Sequence, residues 1–223
     1  NTDEAKRPSR HASTVLGSAS SATKTEGAAH TSVTKTVAAF PQELKCGTVL
    51  DGSLVAGAGA GLFPQIWIWD VNTMECVAKL EGHHGDIYCL TRLPGGRLAS
   101  GSHDQSIKIW NVVTKECLGS LQGHQCSVIC MAVLDGGLLA SGSGGLLSSG
   151  SEHQDKSPTI KIWDVAAWSC VATLEGHKGS VTSLVVLDGG HLASGGADHN
   201  IKIWDVTTSR LIRILMNDST VTS

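Results

Sequence analysis

The fold is already visible in residues 176–205, which carry the sequence GHKGSVTSLVVLDGGHLASGGADHNIKIWD. A Gly-His pair opens this segment, and an apolar run, an Asp-Gly-Gly turn and a second short apolar run follow it. The segment closes with Trp-Asp after Ile-Lys-Ile. Short runs rich in β-branched residues, separated by Gly, Asp and Asn turns, are typical of antiparallel strands. We therefore expect almost no helix.

The same segment recurs along the chain. Gly-His pairs spaced 41 and 53 residues apart precede the last three of four tryptophans. The four tryptophans, each followed by Asp or Asn and spaced 41, 53 and 41 residues apart, are Trp69, Trp110, Trp163 and Trp204. A period of about 40 residues is the size of a repeated supersecondary unit. The chain after residue 39 is therefore predicted to be an array of similar β units.

The longer interval contains a tandem duplication. Residues 136–143 read GGLLASGS and residues 144–151 read GGLLSSGS. About four further residues lengthen the following turn, between Glu152 and Thr159, and without both additions the interval returns to 41. The third unit is therefore a stretched copy, and either half of the duplication is able to supply its strand.

Composition narrows the class of protein. The 223 residues are 41% hydrophobic and 17% charged, with a formal net charge of −3. That apolar content is sufficient for a core, whereas the near-neutral charge argues against nucleic-acid binding or a polybasic membrane contact. No apolar run approaches the roughly 20 residues that span a bilayer, so we expect no membrane insertion.

Residues 1–39 are rich in Ser, Thr, Ala and Gly and contain almost no large apolar side chains. Such a segment cannot bury enough surface to offset its ordering entropy, so we predict a disordered tail or a linker. The seven cysteines are odd in number and form no Cys-x-x-Cys pair, and no signal peptide is evident. These features favour reduced thiols and an intracellular location, in the cytoplasm or alternatively the nucleus.

The unit that runs from Gly-His to Trp-Asp resembles the WD40 repeat of β-propellers. The resemblance covers residues 40–223 and implies an all-β fold of four-stranded blades. The expected blades are 44–80, 87–121, 128–174 and 181–215, with the start of a fifth at 219–223. Propellers of this type have 4–8 blades, and the resemblance to WD40 proteins implies a ring that most often has seven. We therefore expect further blades in cis. The alternative is a four-bladed chain that self-associates.

The resemblance also implies a buried His, Ser, Asp and Trp in each blade, joined by hydrogen bonds. Carried over by position, the tetrads are His83, Ser100, Asp104 and Trp110; His124, Ser141, Asp155 and Trp163; and His177, Ser194, Asp198 and Trp204. The duplication leaves Ser149 as an alternative to Ser141. Such tetrads make physical sense because a buried imidazole, hydroxyl and indole all need polar partners. The first unit keeps only Trp69, with Phe40 in place of the histidine, and is predicted to form the weakest blade.

Three alternatives that give these residues a chemical function are weaker than the structural role of the tetrads. His83, His84 and Cys89 could be imagined as zinc ligands, but histidines equivalent to His83 recur in two other units. Ser-His-Asp trios also recur from unit to unit, which a scaffold does and a catalytic site does not. Residues 57–61 lack the last glycine of a dinucleotide-binding loop and precede a strand. We therefore predict no catalytic residue, metal or cofactor.

Residues next to the Gly-His pairs and the turn aspartates vary between units. The resemblance to WD40 propellers implies that these positions lie at the strand ends where such propellers bind their partners. The residues are Asp86, Tyr88, His103, Gln125, Ser127, Lys178, Ser180 and Ala197. Trp168 lies in the turn before the fourth strand and is either an exposed anchor or partly buried. The third-strand lysines, such as Lys202, are expected to be solvated. The fourth-strand cysteines, such as Cys170, are expected to be small packing residues.

The resemblance implies a protein-interaction scaffold that binds peptides or domains of partner proteins and has no catalysis of its own. The alternative is a substrate-recognition or regulatory region of a larger enzyme, such as a ubiquitin ligase or a signalling enzyme, whose catalytic module lies outside this chain. No cluster of arginines that would recognise phosphopeptides is present to decide the partner.

Overall fold

The computed structural model describes residues 43–61, 64–145 and 157–216. They all lie within one compact unit, Val37–Ser223. They form four antiparallel sheets of four strands, and the strands of each sheet are neighbours in chain order. The one helical segment among the described residues is a 3-10 turn at Asp135–Gly137. The prediction of an all-β chain of four-stranded blades is therefore confirmed, whereas the expected tail at 1–39 and the fifth blade at 219–223 lie outside the described residues.

Each sheet is one blade, numbered here in chain order. Blade 1 comprises β1 (Glu43–Val49), β2 (Leu54–Ala60), β3 (Gln65–Asp70) and β4 (Glu75–Glu81). Blade 2 comprises β5 (Ile87–Leu93), β6 (Arg97–Ser102), β7 (Ile107–Asn111) and β8 (Glu116–Leu121). Blade 3 comprises β9 (Ser127–Val133), β10 (Leu138–Gly144), β11 (Thr159–Asp164) and β12 (Ser169–Glu175). Blade 4 comprises β13 (Val181–Leu187), β14 (His191–Gly196), β15 (Asn200–Asp205) and β16 (Arg210–Met216).

The Asp or Asn after each tryptophan closes the turn between the third and fourth strands. In blade 3 the Asp164 carboxylate accepts the backbone N–H groups of Ala166 and Ala167, both at 2.9 Å. Equivalent bonds close this turn in the other three blades. The last residue of the turn in blade 3, Trp168, has a φ of 56°. The side-chain bonds help to hold this left-handed position, which costs free energy for residues other than glycine.

Packing between blades follows from the alternation of side chains along the third strand, where successive residues point to opposite faces of the sheet. Ile107 and Ile109 of blade 2 pack in one cluster with Trp163 of blade 3. Trp110 of blade 2 packs on the opposite side, in a cluster with Ile68 of blade 1. A third cluster joins blades 3 and 4 in the same manner. The isoleucines of one blade and the tryptophan of the next therefore form the core of each junction.

The two lateral faces that no other described blade covers expose the same apolar positions. Leu44 of blade 1 is 45% exposed, whereas Val128 at the equivalent position of blade 3 is fully buried against blade 2. Ile201 of blade 4 is 47% exposed, whereas its equivalent Ile107 is fully buried. These faces therefore carry the pattern that inner blades bury against one another.

Candidate functional site

Blade 2 contains a chain of hydrogen bonds that links its strands. The Nδ1 atom of His83 lies 2.8 Å from the Asp104 carboxylate, and its Nε2 atom lies 2.7 Å from Ser100 Oγ. Trp110 Nε1 donates to the same Ser100 oxygen at 2.8 Å. Because Ser100 accepts from the indole, its own hydroxyl hydrogen is available to the imidazole. The four groups thus satisfy one another inside the blade, where an unpaired polar group would be costly.

Blade 4 repeats this chain. His177 Nδ1 lies 3.0 Å from both carboxylate oxygens of Asp198, His177 Nε2 lies 2.7 Å from Ser194 Oγ, and Trp204 Nε1 donates to Ser194 at 2.8 Å. Burial alone would raise the pKa of the Asp198 carboxyl. The backbone N–H of Lys178 and the imidazole of His177 outweigh that effect and lower the pKa of Asp198 to about 2. The carboxylate therefore stays ionised and accepts hydrogen bonds at neutral pH.

Blade 3 builds the same centre from the first half of the duplication. Ser141 Oγ lies 2.6 Å from His124 Nε2 and accepts the Trp163 indole N–H at 2.7 Å. Ser149 and Asp155 lie outside the described residues. Among the described residues, the hydroxyl of Thr159 lies 3.5 Å from His124 Nδ1. Burial, and to a lesser degree the charge of Lys161, lower the pKa of His124 to about 4, so its imidazole is neutral.

The described part of blade 1 is held together differently. Gly57 occupies the register position that Ser100 holds in blade 2, and Phe40 lies outside the described residues. Trp67 and Trp69 stack with ring centroids 6.4 Å apart. The ammonium group of Lys79 lies 4.1 Å from the centre of the Trp67 ring. Aromatic and cation–π contacts therefore stand where blades 2–4 have a serine-centred hydrogen-bond chain. That blade 1 is the weakest stays a prediction.

Four of the eight predicted partner-binding residues meet at one end of the strands of blades 2 and 3. His103 Nδ1 lies 2.8 Å from Ser127 Oγ, and the rings of His103 and Tyr88 are edge-to-face with centroids 6.1 Å apart. Lys45 of blade 1 joins them, because its ammonium lies 5.4 Å from the Tyr88 ring centre and 3.5 Å from the Asp86 carboxylate. Three blades therefore contribute to one polar and aromatic cluster.

A cavity of about 310 Å³ opens beside this cluster. It is lined by Lys45, Tyr88, Ser127, Ile129 and Gly144. Sequence reasoning missed Lys45 and Ile129, although a signal existed. Like Tyr88, each of them directly precedes a first-strand cysteine, at Cys46, Cys89 and Cys130. The innermost strands of three blades thus present one register position to the cavity.

The other four predicted residues lie at the same end of the strands but do not line the cavity. Gln125, Lys178 and Ala197 are exposed. Ser180 is half-buried, and its hydroxyl donates to the Gly145 carbonyl at 2.9 Å. These residues extend the variable surface from the cavity towards blade 4.

A family model described as "WD domain, G-beta repeat" matches residues 74–111, 115–164 and 168–205. Together these ranges cover more than half of the chain. The chain belongs to the WD40 family. Each match begins immediately before the fourth strand of one blade and ends with the Trp-Asp or Trp-Asn pair of the next. One WD40 sequence repeat therefore contributes strands to two adjacent blades.

Curated relatives share this repeat and differ in their roles. The chain is 26% identical over 64% of its length to the ribosome biogenesis protein WDR12 homolog of Drosophila persimilis. It is 44% identical over 30% of its length to the nuclear distribution protein PAC1 of Arthroderma otae, and 36% identical over 28% to the CCR4-associated factor 4 homolog of Candida glabrata. The aligned parts are only 26%, 14% and 10% of those proteins, respectively.

Two expectations about the WD40 strands are wrong. Lys202 is buried, because its alkyl stem lies on the side of the third strand that packs against the preceding blade. Its equivalents Lys108 and Lys161 are half-buried and donate to fourth-strand hydroxyls at 2.9 Å. Cys170 is exposed like its equivalents in blades 1 and 2, because the register shifts between Ile162 and Trp163, directly opposite it. These fourth-strand thiols therefore do not pack in the core.

Trp168 is both partly exposed and a packing residue. Its side chain is 42% exposed, yet its ring lies against the backbone of Gly119 in the fourth strand of blade 2. A methyl group added at Gly119 would come within 2.7 Å of the Trp168 ring. The indole therefore bridges blades 2 and 3.

Two features are absent from the described residues. Within 43–61, 64–145 and 157–216, no group of three or more His, Cys, Asp or Glu side chains is arranged to hold a metal ion. In the same ranges no helix is long and apolar enough to cross a membrane.

Proposed function

We propose that this WD40 chain is a protein-interaction scaffold that binds peptides or domains of partner proteins at the cavity beside Lys45 and Tyr88. The observation that carries the proposal is the convergence of side chains from three blades on that cavity. Tyr88 and Ile129 offer apolar contact area, while Lys45, Asp86 and His103 offer charge and hydrogen bonds at the rim. Apolar pockets with a few convergent polar groups are typical of ligand-binding sites.

The geometry of the tetrads favours binding over catalysis. The serine of each described tetrad is at most 1% exposed, and its oxygen is engaged by both an imidazole and an indole. A catalytic nucleophile must be able to reach its substrate, so these Ser-His pairs support strand packing instead. The same trio in blades 2 and 4 also points to a repeated structural role.

The net charge of the chain and the roles of its relatives bear on the class of partner. The near-neutral net charge supports proteins or peptides, rather than nucleic acid, as partners. The relatives named for ribosome biogenesis, nuclear distribution and association with CCR4 share the repeat with this chain but no single role. None of the cysteines in the described ranges is in a disulfide, which supports an intracellular location. Further blades in cis remain part of the proposal, since the lateral faces of blades 1 and 4 are exposed.

Selection from a random-peptide display library against the immobilised chain tests this proposal. Peptides enriched on the wild-type chain should lose binding to a Tyr88→Ala/His103→Ala double variant. They should keep it with Val113→Ser, because Val113 is 81% exposed in a turn at the other end of the strands. Circular dichroism establishes that all three chains are folded. Peptides that bind the double variant as well as the wild type would place the binding surface elsewhere.

A further inference from the structure

The outermost strand of blade 4 is exposed along its whole length. All seven residues of β16 are exposed, whereas the outer strands of blades 1–3 each contain at least one buried residue. β16 pairs with β15 on one side, and no other described strand pairs with its second edge. Blades 2 and 3 also keep a free edge at β8 and β12, although neighbouring blades cover both of their faces. Coverage of the lateral face of blade 4 would therefore leave the edge of β16 open.

The sequence of this edge strand is more apolar than that of its equivalents. Five of its seven residues are Leu, Ile or Met. Ile214 lies opposite the third-strand lysine, where blade 3 has Thr173, and Met216 stands where blade 3 has Glu175. Polar and charged side chains on an edge strand discourage pairing with another chain. Because β16 lacks them at these positions, it retains the pairing capacity of an apolar edge.

The charge of β16 indicates which kind of strand it would accept. It carries Arg210 and Arg213 and no acidic residue, whereas β4, β8 and β12 each contain a glutamate. Among the described residues, neither guanidinium group has an ion-pair or hydrogen-bond partner. The Asp205 carboxylate, opposite Arg210, accepts the backbone N–H groups of Thr207 and Thr208. The two arginines are therefore available to acidic side chains, and their repulsion disfavours pairing of this edge with its own copy.

We propose that the free edge of β16 binds an extended, acidic segment of a partner protein as a fifth strand of blade 4. In this mode of recognition, main-chain hydrogen bonds to an open edge provide affinity and alternate side chains provide specificity. The partner's acidic side chains lie opposite Arg210 and Arg213, where cross-strand pairs of opposite charge are favourable. Its apolar side chains pack beside Ile212 and Ile214. This site is separate from the proposed peptide cavity, which lies beside the first strands of blades 1–3.

A capped, dye-labelled peptide with the sequence Val-Thr-Val-Glu-Val-Thr-Glu is the probe. Paired antiparallel along β16, it places its two glutamates opposite Arg213 and Arg210. The control peptide has lysine at both glutamate positions. Fluorescence anisotropy with the full chain should show saturable binding of the glutamate peptide and much weaker binding of the lysine peptide. The bound glutamate peptide should also slow amide hydrogen exchange in β16, while β8 and β12 keep their rates.

Charge variants separate recognition of this edge from general electrostatic attraction. Arg210→Glu/Arg213→Glu should lower the affinity for the glutamate peptide by roughly tenfold and raise the affinity for the lysine peptide. Arg213→Gln alone should lower the affinity for the glutamate peptide by about threefold. Val113→Glu is its matched control, because it changes the net charge by the same amount at an 81% exposed position in blade 2. This control should leave both affinities unchanged.

Several outcomes would each overturn the proposal. They are equal binding of the two peptides, an unchanged affinity of folded Arg213→Gln, an equal loss with Val113→Glu, and protection of β8 or β12 in place of β16. Binding to phosphatidylserine vesicles without binding to the glutamate peptide would assign the arginines to a membrane surface instead. Self-association that Arg213→Gln abolishes, without peptide binding, would assign the edge to a second copy. Circular dichroism establishes that each variant is folded, and the single substitutions keep the test valid if the double variant is not.

Discussion

The neutral imidazole of His124 makes the stability of this WD40 chain dependent on pH. In the folded chain, burial and the charge of Lys161 lower the pKa of His124 from 6.5 to about 4. In the unfolded chain the imidazole is solvated and has its ordinary pKa. Above about pH 6.5 both states are neutral and the stability is at its full value. As the pH falls from there to about 4, the unfolded state takes up the proton first, so stability is lost.

The size of the effect follows from the two pKa values. The difference between 6.5 and about 4 corresponds to about 3 kcal/mol of unfolding free energy. The Asp198 carboxyl does not obscure this range. Its pKa is lowered from 3.8 to about 2, so its stabilising contribution is lost only as the pH falls through that lower interval. Measurements between about pH 7.5 and roughly pH 4.5 therefore detect most of the histidine effect.

Urea denaturation across this range measures the unfolding free energy directly. The wild-type chain should lose stability on acidification, and His124→Gln, which cannot titrate, should lose less by about 2–3 kcal/mol. Val113→Ser is the control, because Val113 is 81% exposed and the substitution adds and removes no titratable group, so this variant should lose as much free energy as the wild type. The reasoning is refuted if His124→Gln and wild type lose the same free energy on acidification.

Three further predictions concern stability and thiol reactivity. Asp198→Ala leaves buried donors unpaired and should lower the unfolding free energy by about 1–3 kcal/mol. Lys202→Ala removes a buried alkyl stem and should lower it by about 1 kcal/mol. A denaturation midpoint equal to that of the wild type would contradict either prediction. Gly119→Ala places a methyl group against the Trp168 ring and should cost about 1–3 kcal/mol, a loss that calorimetry should find largely abolished in the Trp168→Ala background. Burial raises the pKa of Cys46 to about 12, so its thiol should react slowly with iodoacetamide. Peptide mass spectrometry should find the exposed thiols alkylated first, and early labelling of Cys46 would contradict this prediction. The exposed thiols are Cys76, Cys117 and Cys170.

The strands could be predicted from the sequence because their signals are local. Turn glycines, β-branched runs and the Trp-Asp pair all act within one blade, and the spacing of His83, Ser100 and Trp110 recurs in blade 4. The choice between Ser141 and Ser149 could not be made, because the two halves of the duplication are nearly identical. The pairing of β10 with both of its neighbours assigns the strand to the half that contains Ser141.

Features that depend on contacts between blades were harder to predict. Lys45 belongs to the cavity because β1 and β5 lie side by side, which no periodicity within a single repeat indicates. The burial of Lys202 depends on the neighbouring blade in the same way. The role of Trp168 becomes clear only from its contact with Gly119 of the preceding blade. Repeat signals therefore identify the blade, whereas contacts between blades determine which of its residues are buried and which remain exposed.

The succession of junctions also has a kinetic consequence. Each described blade shares its apolar clusters with the adjacent blades, so blades 2 and 3 are supported on both sides. Among the four described blades, opening should therefore begin at blade 1 or blade 4, whose outer faces no described blade covers, and spread to blades 2 and 3. Amide hydrogen exchange should therefore be fastest in β4 and β16 and slowest around Trp110 and Trp163. Blade 1 lacks the serine-centred bonds of blade 4, so the opening is expected to start there and to proceed in one direction along the chain.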